Sequence, residues 1–156
     1  MIPPRRPWLP YTTVAARRKA SALRPQVSLL LQAGTIQLQA VGLIDSGSDV
    51  SVMPPSLATS LGLTPSPTAE PLDAMGGDVP AGIARVDVRI ALDRGALAMP
   101  SVPFRVPLVG DRPRIVVLGR QPLFEEAEIV FQDWAARFAI VPRRHSLWLT
   151  DRSTLR

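Results

Sequence analysis

The chemistry open to this chain is narrow. It holds no cysteine and a single histidine, His145, in 156 residues. Thiol nucleophiles, iron–sulfur clusters, Cys-ligated zinc and multi-histidine metal sites are therefore excluded, and a serine triad would have only His145 as its base. Carboxylates, hydroxyls, backbone groups and arginine remain. Among them one cluster stands out, Asp45-Ser46-Gly47-Ser48-Asp49, which follows the apolar run Val41-Gly42-Leu43-Ile44 and precedes Val50, Val52 and Met53. A carboxylate at the end of an apolar strand is costly unless its neighbours hydrogen-bond to it. Gly47 permits a tight turn that turns backbone N–H groups toward the carboxylate, and the Ser46 hydroxyl can bond across to another backbone. Asp-Ser-Gly is also the composition of an ordinary surface turn. Surface turns, however, rarely sit between an apolar run and alternating valines.

An acid used in this way must be held by the elements around it, and the sequence outlines them. From residue 25 onward the pattern is one of short strands divided by Gly and Pro, without an internal repeat. Residues 27–32 and 35–40 flank Ala33-Gly34, with Ile36 and Leu38 alternating against Thr35, Gln37 and Gln39, which predicts a hairpin with one buried face. Residues 41–44 continue as a wholly apolar strand into Asp45. Residues 54–62 predict a short helix with prolines near its start and a glycine stop, followed by a Pro/Thr/Ser connection over 64–71. Met75-Gly76-Gly77-Asp78 predicts a glycine-tipped hairpin, and residues 84–90 alternate with period two as its second strand. Further strands are expected at 102–106, 115–118, 129–132, 137–141 and 146–149, with a helical turn at 121–126. So little helix makes the fold class mainly β, a small closed or sandwich-like sheet.

With these elements in place, the segment VGLIDSGSDVSVMPPSLATSLGL, residues 41–63, resembles the active-site strand, loop and following segment of retropepsin-like aspartic proteases, the single-domain proteases of retroviral type. AMGGD, residues 74–78, is similar to the family's flap. VVLGRQPLF, residues 116–124, is similar to its apolar-apolar-Gly segment and the short helix after it. The resemblance covers about residues 26–141. It implies a small closed β-barrel with one or two short helices, completed as a two-fold homodimer. Asp45 would be the catalytic carboxylate, Ser46 the hydroxyl that reaches the partner subunit, and Gly47 the gap that admits substrate backbone. Ser48, Asp49, Met75, Gly76 and Gly77 would bind peptide. Asp49 would also pair with Arg120, whose fork suits bidentate bonding, and Gly119 would support the site beside it.

Only one Asp-Ser/Thr-Gly is present, so one chain supplies half a site. Two copies of Asp45 meeting on a two-fold axis would share one proton, because carboxylates about 3 Å apart cannot both ionise. The implied activity is that of an aspartic endopeptidase acting on a peptide or protein substrate, with no metal and no cofactor. A Ser48 hydroxyl donating to the ionised pair would favour that form, so Ser48→Ala is expected to raise the acidic limb of the pH–activity profile. The competing expectation is a catalytically silent retropepsin-like module for dimerisation or peptide binding.

The net charge of +5 suggests nucleic acid until its distribution is read. Residues 1–24 carry a net +6, residues 143–156 a net +3, and residues 25–142 a net −4. Basicity thus lies in the ends, and the middle lacks the positive stripe with interleaved aromatics that a nucleic-acid domain shows. The division expected is a basic, Pro/Arg-rich and flexible extension over 1–24, the protease domain over 25–142, and a basic segment over 143–156 offering a dimer-interface strand. His145 is expected to be exposed and without chemical duty, and Trp8, Trp134 and Trp148 to be core or interface fillers. The opening MIPPRRPWLP is broken by prolines and the apolar run 27–31 is short, so neither a signal segment nor a membrane span is expected, and the location expected is cytoplasmic.

Overall fold

Period-two alternation in the sequence builds the longest strands. In the computed structural model, which describes residues 6–16, 19–74, 77–93, 95–143 and 147–149, Ala84, Val86, Val88 and Ile90 point inward while Arg85 and Asp87 are exposed. The strands, in chain order, are β1 (Trp8–Pro10), β2 (Thr12–Ala16), β3 (Lys19–Arg24), β4 (Gln26–Ala33), β5 (Ile36–Ile44), β6 (Ser51–Val52), β7 (Ser66–Pro67), β8 (Leu72–Ala74), β9 (Gly77–Val79), β10 (Ala81–Leu92), β11 (Gly95–Pro107), β12 (Val116–Leu118), β13 (Ala127–Gln132), β14 (Arg137–Pro142) and β15 (Leu147–Leu149). Two helices interrupt them, α1 (Pro55–Ser60) and α2 (Arg120–Glu126).

Six of these strands close on themselves. β10 pairs with β11, β11 with β6, β6 with β12, β12 with β5, β5 with β4, and β4 again with β10. Such a ring removes the open edges of a sheet and turns one face of every strand inward. The expected small closed β-barrel with two short helices is the fold found. Leu31, Ile90, Leu97, Phe104 and Leu118 fill it, each at most 1% exposed, with Leu123 of α2 and Phe138 of β14 in the same core. α1 stops as its sequence dictates: Gly62 takes φ +68 and its N–H donates to the Thr59 carbonyl at 2.9 Å.

Two differences from the sequence reading stand out. Residues 36–44 form one continuous strand rather than two, because β4 pairs with it without a break from Gln26↔Leu43 to Ala33↔Ile36. Residues 8–24, expected as a flexible extension, contribute β1, β2 and β3. β1 joins a second sheet of order β1-β14-β13, in which Trp8 lies opposite Ala139 and Leu9 opposite Phe138. Its stability is tertiary: the Arg137 guanidinium lies 4.4 Å from the Trp8 ring, and the Tyr11 and Phe138 ring centroids are 5.9 Å apart. Local propensity carried no trace of those partners.

Candidate active site

The barrel delivers Asp45 to the ends of two parallel strands. β5 and β12 run side by side with Leu118 opposite Ile44, and one residue later the Asp45 N–H donates to the Leu118 carbonyl at 3.0 Å. Ile44 and Leu118 are buried beneath it, so the half-buried Asp45 sits on an apolar floor. The turn then closes around the acid. The Gly47 N–H donates to Asp45 Oδ1 at 2.9 Å, and the Ser48 N–H donates to the Asp45 carbonyl at 3.3 Å. An aspartate so held has its carboxylate oriented before any substrate arrives. Ser46 and Gly47 are exposed at the tip.

A second layer fastens this loop to the start of α2. The Arg120 N–H donates to the Ser48 carbonyl at 2.8 Å, and the Gln121 N–H donates to the Asp49 carbonyl at 3.1 Å. The two segments approach so closely at Gly119 that a Cβ there would lie 2.2 Å from the Val50 carbonyl oxygen. Only glycine fits. Arg120 Nη2 also pairs with Asp49 Oδ1, as the resemblance implied. Their side chains are 59% and 73% exposed, so this pair adds little stability and serves to orient the loop.

Ser48 departs from expectation. Its hydroxyl donates to the Val50 carbonyl at 2.7 Å and not to the Asp45 carboxylate. A hydroxyl has one proton to give, so the reason for expecting Ser48→Ala to move the acidic limb falls away. Ser51 escaped the sequence reading altogether. It is fully buried, accepts the Gly119 N–H at 3.2 Å and donates to the Gln121 carbonyl at 3.0 Å, tying the loop to α2 from below. Its signal was a polar residue at an inward position between Val50 and Val52.

The glycine-tipped hairpin forms as β8 and β9, paired Leu72↔Val79, Asp73↔Asp78 and Ala74↔Gly77, but its second strand is Gly77–Val79 and not residues 84–90, which lie in β10 and pair with β11 and β4. Gly77 has φ +112, a conformation that favours glycine. Met75 and Gly76 lie outside the described residues, as does His145. Behind the hairpin, Arg105 Nη2 is 2.6 Å from Glu70 Oε2, anchoring the segment that leads into β8. Sequence reading passed over Arg105 as one residue of a strand. Trp134 is no core filler: it is 84% exposed on the turn between β13 and β14.

An open groove adjoins the acid. Tyr11, Pro25, Ile44, Asp45, Ser46 and Asp133 are among the residues that line it. The Tyr11 hydroxyl donates to Asp133 Oδ1, and the Tyr11 N–H to the Ala136 carbonyl at 2.8 Å. Burial, reinforced by the Asp133 carboxylate, pushes the Tyr11 phenol up to about 12. Among the described residues, no three His, Asp or Glu side chains cluster so as to hold a metal ion, and no helix is long and apolar enough to cross a membrane.

Comparison with known proteins adds to this geometry. The sequence model of a family described as aspartyl protease matches residues 33–121, more than half of the chain and the whole span from the β4–β5 turn to the start of α2. No curated protein matches. Among solved structures, the crystal structure of a retropepsin-like aspartic protease from Rickettsia conorii is similar with a TM-score of 0.53 at 14% identity, over 85% of this chain and 93% of that one. At that identity the likeness is one of fold.

Proposed function

Because this chain belongs to the aspartyl protease family, we propose that it is an endopeptidase whose reacting pair is Asp45 from each of two identical subunits. The observation that carries this reading is the placement of one carboxylate, on an apolar floor at the ends of β5 and β12, with a backbone N–H already on its Oδ1. Such a group is oriented for use but is alone in its chain.

In the pair, one carboxylate is ionised and the other protonated. The ionised member takes a proton from a water as its oxygen attacks the scissile carbonyl carbon, while the protonated member hydrogen-bonds to the carbonyl oxygen. The tetrahedral adduct then collapses as the C–N bond breaks and the departing nitrogen takes a proton from the pair. No covalent acyl-enzyme forms. Titration belongs to the pair as a unit.

The other site residues take roles consistent with their places. Ser46, at the exposed tip, would meet the partner subunit, and Gly47 leaves space for substrate backbone. Asp49 and Ser48, with Met75, Gly76 and Gly77 of the hairpin, would bind an extended peptide through backbone bonds in the manner of an added strand. Gly119 and Arg120 hold the loop in shape. The test is hydrolysis of a diverse peptide library from acidic to neutral pH beside the Asp45→Asn variant. We expect wild-type cleavage, its inhibition by a statine-type transition-state analogue, and a loss of at least about a hundredfold in Asp45→Asn. Equal cleavage by both proteins would reject the role of Asp45.

A further inference from the structure

The β8–β9 hairpin forms a two-stranded sheet of its own, so its direction is set where its two ends join the barrel. Both ends are tied to the same strand. After the hairpin, the Pro80 carbonyl accepts the Leu108 N–H at 2.9 Å, and β10 opens with Ala81 opposite Pro107 of β11. Before it, the Thr68 N–H donates to the Ala81 carbonyl at 3.1 Å. Beyond Thr68, the hydrogen bonds that fasten residues 69–71 to the barrel, among the described residues, both come from Arg105: Nη2 lies 2.6 Å from Glu70 Oε2, and Nη1 donates to the Glu70 carbonyl at 3.4 Å. The Arg105 backbone serves the other side of the site. It pairs with Val52 in the parallel β6–β11 ladder, and its carbonyl accepts the Met53 N–H at 2.9 Å, on the segment that leaves the Asp45 loop. One residue thus joins the loop that carries the acid to the segment that starts the hairpin.

We propose that Arg105 is a positioning residue for peptide binding, which holds Glu70 in its fork and so fixes where the hairpin rises relative to the Asp45 loop. The proposal rests on the peptide-binding role given to the hairpin above, and Arg105 itself does not touch the peptide. Its side chain is 15% exposed and that of Glu70 is 80% exposed. A guanidinium so far withdrawn from water needs its acid, while the exposure of that acid limits what the pair adds to global stability. The effect is therefore local. A planar fork that grips a carboxylate and a carbonyl of one residue sets orientation as well as distance, which a lysine ammonium does not. Without the grip, residues 69–71 are released, the hairpin occupies more positions, and closing it on a peptide costs more entropy. The acid loop keeps its own bonds, so the loss falls on binding and not on the chemical step.

The test combines peptide hydrolysis kinetics with hydrogen exchange on the full chain, for wild type, Glu70→Ala, Arg105→Gln and Arg105→Lys. Glu128→Gln is the control, since Glu128 pairs with Arg6 at 3.4 Å in the other sheet. Circular dichroism establishes that each variant is folded, and if Arg105→Gln is not, Glu70→Ala, at an exposed position, carries the test. We expect KM to rise about threefold to tenfold in Glu70→Ala and Arg105→Gln with kcat within about twofold of wild type, Arg105→Lys to fall between, and Glu128→Gln to match wild type. The double variant Glu70→Ala/Arg105→Gln should be no worse than the more affected single one. Amides of β8 and β9 should exchange faster by a similar factor while those of β14 are unchanged. Folded variants with wild-type KM and wild-type hairpin exchange overturn the proposal. A fall in kcat at constant KM would place the effect on the Asp45 loop through β6 and equally overturn it. Failure of the proposed activity looks different: faster hairpin exchange in a protein without Asp45-dependent hydrolysis rejects the peptidase reading, and with it the role of Arg105 in binding.

Discussion

Gly119 shows how much a single atom can decide at the residue scale. The Val50 carbonyl oxygen occupies the space a Cβ would need, and both neighbours are backbone, which cannot swing aside. Gly119→Ala should therefore cost about 1–3 kcal/mol of stability, read as a lower denaturant midpoint, and should lower activity further by moving the loop that holds Asp45. Ser51→Ala acts on the same junction by another route. It strands the buried Gly119 N–H and removes the donor to the Gln121 carbonyl, at a cost of about 1–3 kcal/mol in the same measurement. Asp45 stood out in the sequence as a carboxylate behind an apolar strand, whereas Asp49 and Arg120 were paired only through the resemblance to retropepsin-like proteases, and their side chains do meet in the structure. Ser51 was not, since a serine among valines announces burial only when the partners above and below it are known. The Ser48 hydroxyl was misjudged for a related reason. Which of several nearby acceptors takes a lone proton is a matter of ångströms, which spacing does not encode.

Elements were readable in proportion to how local their causes are. The alternation in β10 and the glycine stop of α1 each follow from neighbours in sequence and appear where expected, while the β4–β5 turn falls at Gly34-Thr35, one residue later than Ala33-Gly34. β1 and Tyr11 after it are placed by contacts more than a hundred residues away, Trp8 on Arg137 and Tyr11 on Asp133, and so left no periodic signature. The Tyr11–Asp133 bond offers a clean test of that docking, because Tyr11 is the only tyrosine. Ultraviolet titration of the folded protein should place the phenol near 12, whereas the unfolded chain should titrate near 10.0. Since the folded value is the higher, the stability this bond contributes is fully present below pH 10 and is lost as pH rises through 12. Asp133→Asn should shift the folded midpoint downward. A midpoint near 10 in the wild-type fold would show that the arm is not docked.

At the scale of the whole molecule, the barrel explains how the chain presents an acid, and under the proposed function a second copy of the chain completes the chemistry. Closure of six strands fixes the β5 and β12 ends that hold the Asp45 loop, and the sequence carries one Asp-Ser-Gly and no second copy of that motif. The closed β architecture was legible because many short strands with little helix admit few alternatives, whereas the proposed pairing of subunits has no signature in the sequence beyond the single Asp-Ser-Gly. Its most direct test is subunit mixing at fixed total protein. Wild type and Asp45→Asn are unfolded together, refolded together in equal amounts, and assayed for peptide hydrolysis. If each site needs an ionisable acid from both chains, only the wild-type pairs work, and random pairing leaves about a quarter of the activity of an all-wild-type sample. A value of about half would mean that each chain works alone, and would contradict the account.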